Sequence, residues 1–257
     1  MTISILRSLT FFCAVLTAGA LVVDAPLAQE HAAPHWSYSG SNGPDHWGEL
    51  DKTFNRCQQG HLQSPIDIRA PKPADLPPIR FAYQSTPLHI VNNGHTIQVN
   101  YAPGSFITVG DKRYQLTQFH FHHPSEERVD GKGFEMVAHL VHTAPDNALA
   151  VVAVLLTPGA ENPVIASLWQ HLSVHEGPEL KLDDVQIDVT GLLPQGHGYY
   201  TFMGSLTTPP CTEGVTWFVL KTPVQISQSE ADAFGKIYPR DARPIQPLNQ
   251  REVLTSK

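Results

Sequence analysis

The run Gln118-Phe119-His120-Phe121-His122 sets two imidazoles two residues apart inside an alternating apolar stretch. In a β-strand, residues i and i+2 point to the same face, so both rings project into one space. A third imidazole, His139, follows in a second β-like run from Met136 to His142. Three neutral imidazoles converging from strands, with no cysteine or other strong ligand nearby, form the pattern of a catalytic zinc with one open position. Taken alone, a His-x-His pair is better read as exposed or hydrogen-bonded histidines than as metal ligands. The choice rests on the surroundings.

Those surroundings are short alternating runs separated by turn signals. Leu88–Val91 is followed by Asn93-Gly94 and then Thr96–Tyr101. Phe106–Val109 leads into Gly110-Asp111 and Tyr114–His122, and Glu135–His142 and Ala148–Leu156 come next. Tyr199–Phe202 and Val215–Leu220 read as later strands, and Gln63–Ile68 as a segment ending in a short one. Residues 31–60 read as a loop-rich arm packed by Trp36, Tyr38 and Trp47, and Pro71–Pro78 as a proline-rich connection. Helical patterns are confined to Pro163–Leu172 and Ser227–Ile237; the second opens with Ser227 and Glu230 in capping-box spacing. The fold expected is mainly β (α+β): one domain over residues 31–257, built on a large, mostly antiparallel central sheet with short peripheral helices.

The 257 residues, 41% of them hydrophobic, suffice to bury such a core. A net charge of −7 argues against nucleic acid and against anionic membrane surfaces as partners. The N-terminus is a different material. Arg7 precedes an apolar stretch from Leu9 to Leu16, then Ala18-Gly19-Ala20. Residues 1–28 read as a secretory signal, because the apolar stretch is too short to span a bilayer. Cleavage fits after Ala20 or near Ala28, and the mature protein is expected to carry no membrane span. Cys13 leaves with this segment. In an oxidising compartment, the remaining pair Cys57 and Cys211 reads as one disulfide. Two separate buried thiols are the alternative.

With these residues in view, the chain resembles the α-class carbonic anhydrases. The likeness rests on His120-Phe121-His122, Ser125-Glu126, His139-Leu140-Val141-His142 and Gly204-Ser205-Leu206-Thr207-Thr208-Pro209-Pro210. Gln63–Ile68, Asn92-Asn93-Gly94-His95 and Val215-Thr216-Trp217 extend it, over roughly residues 35 to 251 in the expected order. The leader, the cysteine pair and the compact loops look like the bacterial exported branch. Periplasmic or secreted localisation follows from that likeness, as does a possible homodimer.

The resemblance implies one zinc ion on His120, His122 and His139 at the base of a conical cleft, with attack of zinc-bound hydroxide on carbon dioxide to give bicarbonate. It implies a dry wall from Val141, Val151, Leu206, Val215 and Trp217, and a bicarbonate contact at Thr208. Thr207 corresponds to the family's orienting threonine, and Glu126 to the carboxylate that takes its proton. His95 falls at the proton-shuttle position, a task that suits a histidine near pKa ~6.5. Tyr38, Asn93 and Gln98 fall where the family holds a connecting water chain. Gln118 falls beside the first ligand and is assigned to support it. The other histidines, His35 among them, have no motif support and read as surface or satisfied core residues.

One departure stands out. Many members carry Glu two residues before the third ligand, where this chain has Val137. Glu127 lies where many members have His. The expectation is a swap in which Glu127 supplies the hydrogen bond to His139. Two rival functions are a non-catalytic carbonic-anhydrase-like binding module and a zinc hydrolase of esters, the latter also conceivable as a side activity.

Overall fold

The computed structural model describes residues 35–257, so the expected leader lies outside the described part. In chain order the elements are α1 (Trp47–Leu50), α2 (Arg56–Gln59), β1 (Asp67–Ile68), β2 (Lys72–Ala74), β3 (Ile79–Ala82), β4 (Thr86–Asn92) and β5 (Ile97–Asn100). They continue with β6 (Phe106–Val109), β7 (Lys112–His122), β8 (Arg128–Val129), β9 (Met136–Thr143), β10 (Leu149–Pro158) and α3 (Pro163–Trp169). The last are β11 (Leu180–Ile187), β12 (Tyr199–Ser205), β13 (Glu213–Leu220), β14 (Val224–Ile226), α4 (Gln228–Gly235) and β15 (Leu254–Ser256).

Thirteen strands form one large sheet, whose main path runs β11-β4-β5-β7-β9-β10-β13-β12-β15-β2. Most neighbours are antiparallel; β10 pairs parallel with β13 and β14, and β15 parallel with β2. A separate parallel pair joins β1 to β8. Ala150 to Leu156 of β10 is buried without a break, as a strand covered on both faces must be. The two faces carry two apolar clusters. Leu116, Phe119, Phe121, Leu140, Val152 and Val154 belong to the larger. Val137, Val151, Ala153, Leu155, Val215, Trp217 and Val219 belong to the smaller, on the opposite parity.

Helices α3 and α4 sit at the expected places but are shorter. Asn162 caps α3 through Val164 and Ile165. Ser227 and Glu230 complete the capping box of α4. The proline-rich stretch 71–78 is not only a connection. It contains β2, which is exposed at the sheet edge, where proline is tolerated. The sequence reading also missed β11, an edge strand rich in charge and interrupted by an irregularity between Leu182 and Gln186. No helix among the described residues is long and apolar enough to cross a membrane.

Candidate active site

Register creates the site. β7 and β9 pair antiparallel with His120 directly opposite His139, and His122 opposite Val137. The period-two spacing of β7 and this cross-strand pairing bring three imidazoles to the face of the smaller cluster. Ring centroids are 5.0 Å apart for His120 and His122, 5.4 Å for His120 and His139, and 4.8 Å for His122 and His139. One potential ligand atom from each lies within 4.8 Å of the others. His122 and His139 are buried and His120 is half-buried, so the site opens on the His120 side. Burial and the two neighbouring imidazoles hold His120 well below the usual histidine pKa, which favours the neutral, ligand-competent ring.

Each ring spends one nitrogen on a different protein acceptor. His120 Nδ1 is 2.8 Å from Gln118 Oε1, and His122 Nδ1 is 2.7 Å from the backbone carbonyl of Asp241. His139 Nε2 lies 3.1 and 3.2 Å from the two carboxylate oxygens of Glu127. The nitrogens left over are Nε2 of His120, Nε2 of His122 and Nδ1 of His139. The His122 nitrogen is buried without a hydrogen-bond partner. An orphaned imidazole nitrogen between two others fits a divalent metal ion such as zinc.

The loop after β7 is fixed from several sides. Ser125 Oγ accepts from Phe134 N at 2.8 Å and donates to Glu127 O at 3.0 Å. Arg128 then pairs with Asp67 across β1 and β8. Glu126 Oε1 accepts from the backbone N–H of Arg243 at 2.7 Å. Its Oε2 has no hydrogen-bond partner and faces His122 Nε2 at 3.6 Å and His139 Nδ1 at 3.9 Å. The structure shows no hydrogen bond between Thr207 and Glu126, although Oε2 of Glu126 has no other partner. Thr207 is buried beyond the end of β12, and Thr208 is half-buried beside it.

The neighbouring row of the same face is apolar. Val141 pairs with Val151, and Val151 with Trp217. Gly204 pairs with Val215. A Cβ at Gly204 would come within 2.7 Å of Trp217 Cδ1 and 2.2 Å of Ser64 Oγ, so the glycine is what lets the indole edge and Ser64 approach β12 this closely. Trp217 Nε1 donates to Ser205 O at 3.1 Å, and its ring meets His139 edge-on at 5.0 Å. Leu206 packs against this cluster.

At the rim, the side chain of Asn93 accepts from the backbone N–H groups of His95 and Thr96, both at 3.0 Å, closing the turn that presents His95. Gln98 pairs with His120 across β5 and β7, accepts from Asn93 at 3.5 Å and donates to Asn100 at 2.7 Å. Burial, then the nearby Glu126 and Asp241, raise the Tyr38 phenol well above its usual pKa; its hydroxyl is buried without a partner.

Comparison with known proteins bears directly on this arrangement. Residues 42–257 match the family model described as eukaryotic-type carbonic anhydrase. The chain is 43% identical over 228 residues to a carbonic anhydrase of Nostoc sp., covering 86% of this chain and 85% of the relative. It is 41% identical over 250 residues to one of Neisseria gonorrhoeae, covering 96% and 98%. The solved complex of an α-carbonic anhydrase from Thermovibrio ammonificans with the inhibitor sulfanilamide superposes with a TM-score of 0.84 at 42% identity, covering 88% of this chain and all of that one. The chain belongs to the α-carbonic anhydrase family. It is a carbonic anhydrase, an enzyme of carbon dioxide hydration.

Within this carbonic anhydrase, Cys57 and Cys211 form a disulfide with Cα atoms 5.0 Å apart, packed with Trp47 and Phe54. Three contributors escaped the sequence reading. Asp241 offers its carbonyl to His122 and its carboxylate to the backbone N–H of His123 at 2.7 Å; burial raises its carboxyl pKa well above the usual range. Arg243 ties Gln63, Ser64 and Cys57 together through its guanidinium. Trp36 lies flat on His95, with centroids 3.6 Å apart and planes 8° from parallel. Only the aromatic richness of residues 36–47 hinted at the last.

Proposed function

We propose that His120, His122 and His139 hold a zinc ion and that the enzyme hydrates carbon dioxide with a histidine-assisted exit for the proton. The observation carrying this reading is that each ring gives one nitrogen to a different acceptor, while a potential ligand atom from each of the three lies within 4.8 Å of the others. When bound, zinc supplies Lewis acidity that lowers the pKa of water to about 7, carbonic anhydrase itself being the reference case for that value.

The remaining roles belong to the chain. Val141, Val151, Leu206, Val215 and Trp217 give carbon dioxide a dry surface beside the ligands. Thr207 orients the attacking water with its hydroxyl, and Thr208 receives bicarbonate. Glu126, anchored by Arg243, keeps an acceptor oxygen beside the imidazoles. Glu127 and Gln118 fix the orientation of His139 and His120. His95 takes the proton outward across waters held by Tyr38, Asn93 and Gln98. The disulfide is consistent with an exported protein.

Stopped-flow hydration of carbon dioxide, with and without a chelator, tests the reading. Fast turnover, abolished by chelation and restored by stoichiometric zinc, is the expected result. Turnover indifferent to metal would overturn it. An activated ester in parallel measures any side esterase activity, expected to be slower than hydration.

A further inference from the structure

The chain contains two Asn-Gly pairs, Asn42-Gly43 in the N-terminal arm and Asn93-Gly94 in the turn that presents His95. Asparagine is a labile residue, and most so before glycine, which has no side chain to shield its backbone nitrogen. That nitrogen can attack the asparagine Cγ, closing a cyclic imide and expelling ammonia. Water then opens the ring to aspartate or isoaspartate.

The turn holds the two reacting groups of Asn93-Gly94 in opposite ways. Asn93 Oδ1 accepts from the backbone N–H groups of His95 and Thr96, both at 3.0 Å. Two such donors draw charge from Cγ and suit the oxyanion that attack would create, so the carboxamide is activated. The nucleophile is restrained. The Gly94 N–H donates to Asn92 Oδ1 at 3.1 Å. Asn92 is buried and firmly held: its Nδ2 donates to Ser173 O at 2.9 Å, and its Oδ1 also accepts from the Tyr238 hydroxyl. Glu176 closes the far side of Gly94, where a Cβ would meet its Oε2 at 2.7 Å.

We infer that Asn93 is a site of spontaneous deamidation restrained by Asn92, and that conversion to isoaspartate disables the His95 turn. The bond from Gly94 N to Asn93 Cγ forms, the Cγ–Nδ2 bond breaks, and the Gly94 proton leaves on ammonia. Hydrolysis adds one water, with no redox change. Opening at Cγ leaves aspartate, which keeps the acceptor shared by His95 and Thr96. Opening at the main-chain carbonyl leaves isoaspartate: the main chain then runs through Cγ, and that acceptor is lost.

The holoenzyme and its Asn92→Ala and Asn92→Asp variants are aged in mildly alkaline buffer, native and in urea. Peptide mass mapping follows Asn93, with Asn42 as the internal reference, and isoaspartyl methyltransferase labels isoaspartate. The native parent should convert at Asn93 about tenfold or more slowly than the urea-unfolded parent, because reaction waits for the turn to open. Native Asn92→Ala should convert roughly threefold to tenfold faster than the native parent, as loss of one hydrogen bond implies, with Asn42 unchanged. Asn92→Asp keeps the acceptor oxygen and should stay near the parent. Equal rates in native and unfolded parent, or in Asn92→Ala and parent, would overturn the restraint. So would equal acceleration at Asn42 and Asn93, which marks general unfolding. If Asn92→Ala does not fold, the parent comparison decides, and Asn92→Asp converting like the unfolded chain would overturn the restraint as well. The functional half rests on His95 as the shuttle. Across the aged samples, kcat in weak buffer should fall with the isoaspartate fraction while kcat/KM holds. Unchanged kcat, where His95→Ala lowers it, would overturn that half. If His95→Ala also leaves kcat unchanged, the shuttle reading fails and takes the functional half with it, while the mass data still judge the restraint.

Discussion

The carboxylate of Glu127 straddles Nε2 of His139, with one oxygen at 3.1 Å and the other at 3.2 Å. Both residues are buried, and the position facing His122 across the strands is occupied by the apolar Val137. The swap expected from sequence thus has its geometry in the fold: the carboxylate reaches the ring from the loop after β7 rather than from β9.

Removing that carboxylate should loosen the metal. Glu127→Ala is expected to weaken zinc binding about 10–100-fold, the usual range for partners that orient a ligand. Competition with a chromophoric chelator measures it without recourse to activity. Glu127→Gln should fall between parent and alanine variant, and unchanged affinity in both would rule the role out.

The wall row should respond differently. Val141 is half-buried and in register with Val151. Phenylalanine at 141 should intrude where carbon dioxide approaches and lower kcat/KM by about 10–100-fold, since small misplacements near the reacting atoms are that costly. Zinc content should not change. A variant with full kcat/KM would show that Val141 is core alone.

On the other face of β9, His142 is buried with Nε2 2.8 Å from the Tyr83 hydroxyl. Burial lowers its pKa from 6.5 to about 3. Between those values the unfolded chain binds a proton that the folded chain does not, so acid favours unfolding. This residue's contribution is complete above pH 6.5 and is lost progressively as pH falls toward 3, by about 1.4 kcal/mol per unit. Urea midpoints at pH 7 and pH 5 should therefore differ less in Tyr83→Phe/His142→Phe than in the parent. Parallel curves would exclude His142 as a source of acid sensitivity.

The cross-link between Cys57 and Cys211 spans 154 residues. In the chain-entropy picture, a loop of this size stabilises by about 4–5 kcal/mol at most. Cys57→Ala/Cys211→Ala is expected to approach that loss in denaturant titrations, with the refolded variant still binding zinc. A loss under about 1 kcal/mol would mean that the packing around Trp47 and Phe54 holds this region without the bond.

Much of the site was legible because side-chain identity and strand parity carry it. His120 and His122 share a face by period two, and His142 falls on the opposite face from His139 by the same rule. The likeness to a known family supplied His95, Thr207 and the wall. Asp241 stayed hidden because it serves His122 through a backbone carbonyl, and every residue has one. Arg243 was missed for a related reason: Glu126 is held by its backbone N–H, in a segment without regular structure. β11 escaped because an edge strand need not alternate, and half of Leu180–Ile187 is exposed charge or amide.

The strand β15 lies between β12 and β2, and Lys72 at that junction bonds Glu252 across 180 residues. Arg243 likewise reaches back 186 residues to Cys57. Contacts of this range close late, since the chain between must be collapsed before they become favourable, and proteins dominated by them fold in milliseconds to seconds rather than microseconds. The β7–β9–β10 strands pair with near neighbours in the chain, whereas the pairings of β15 and the reach of Arg243 need the two ends of the domain together. A chain cut short before β15 would therefore leave β12 as an open sheet edge and β2 without its neighbour.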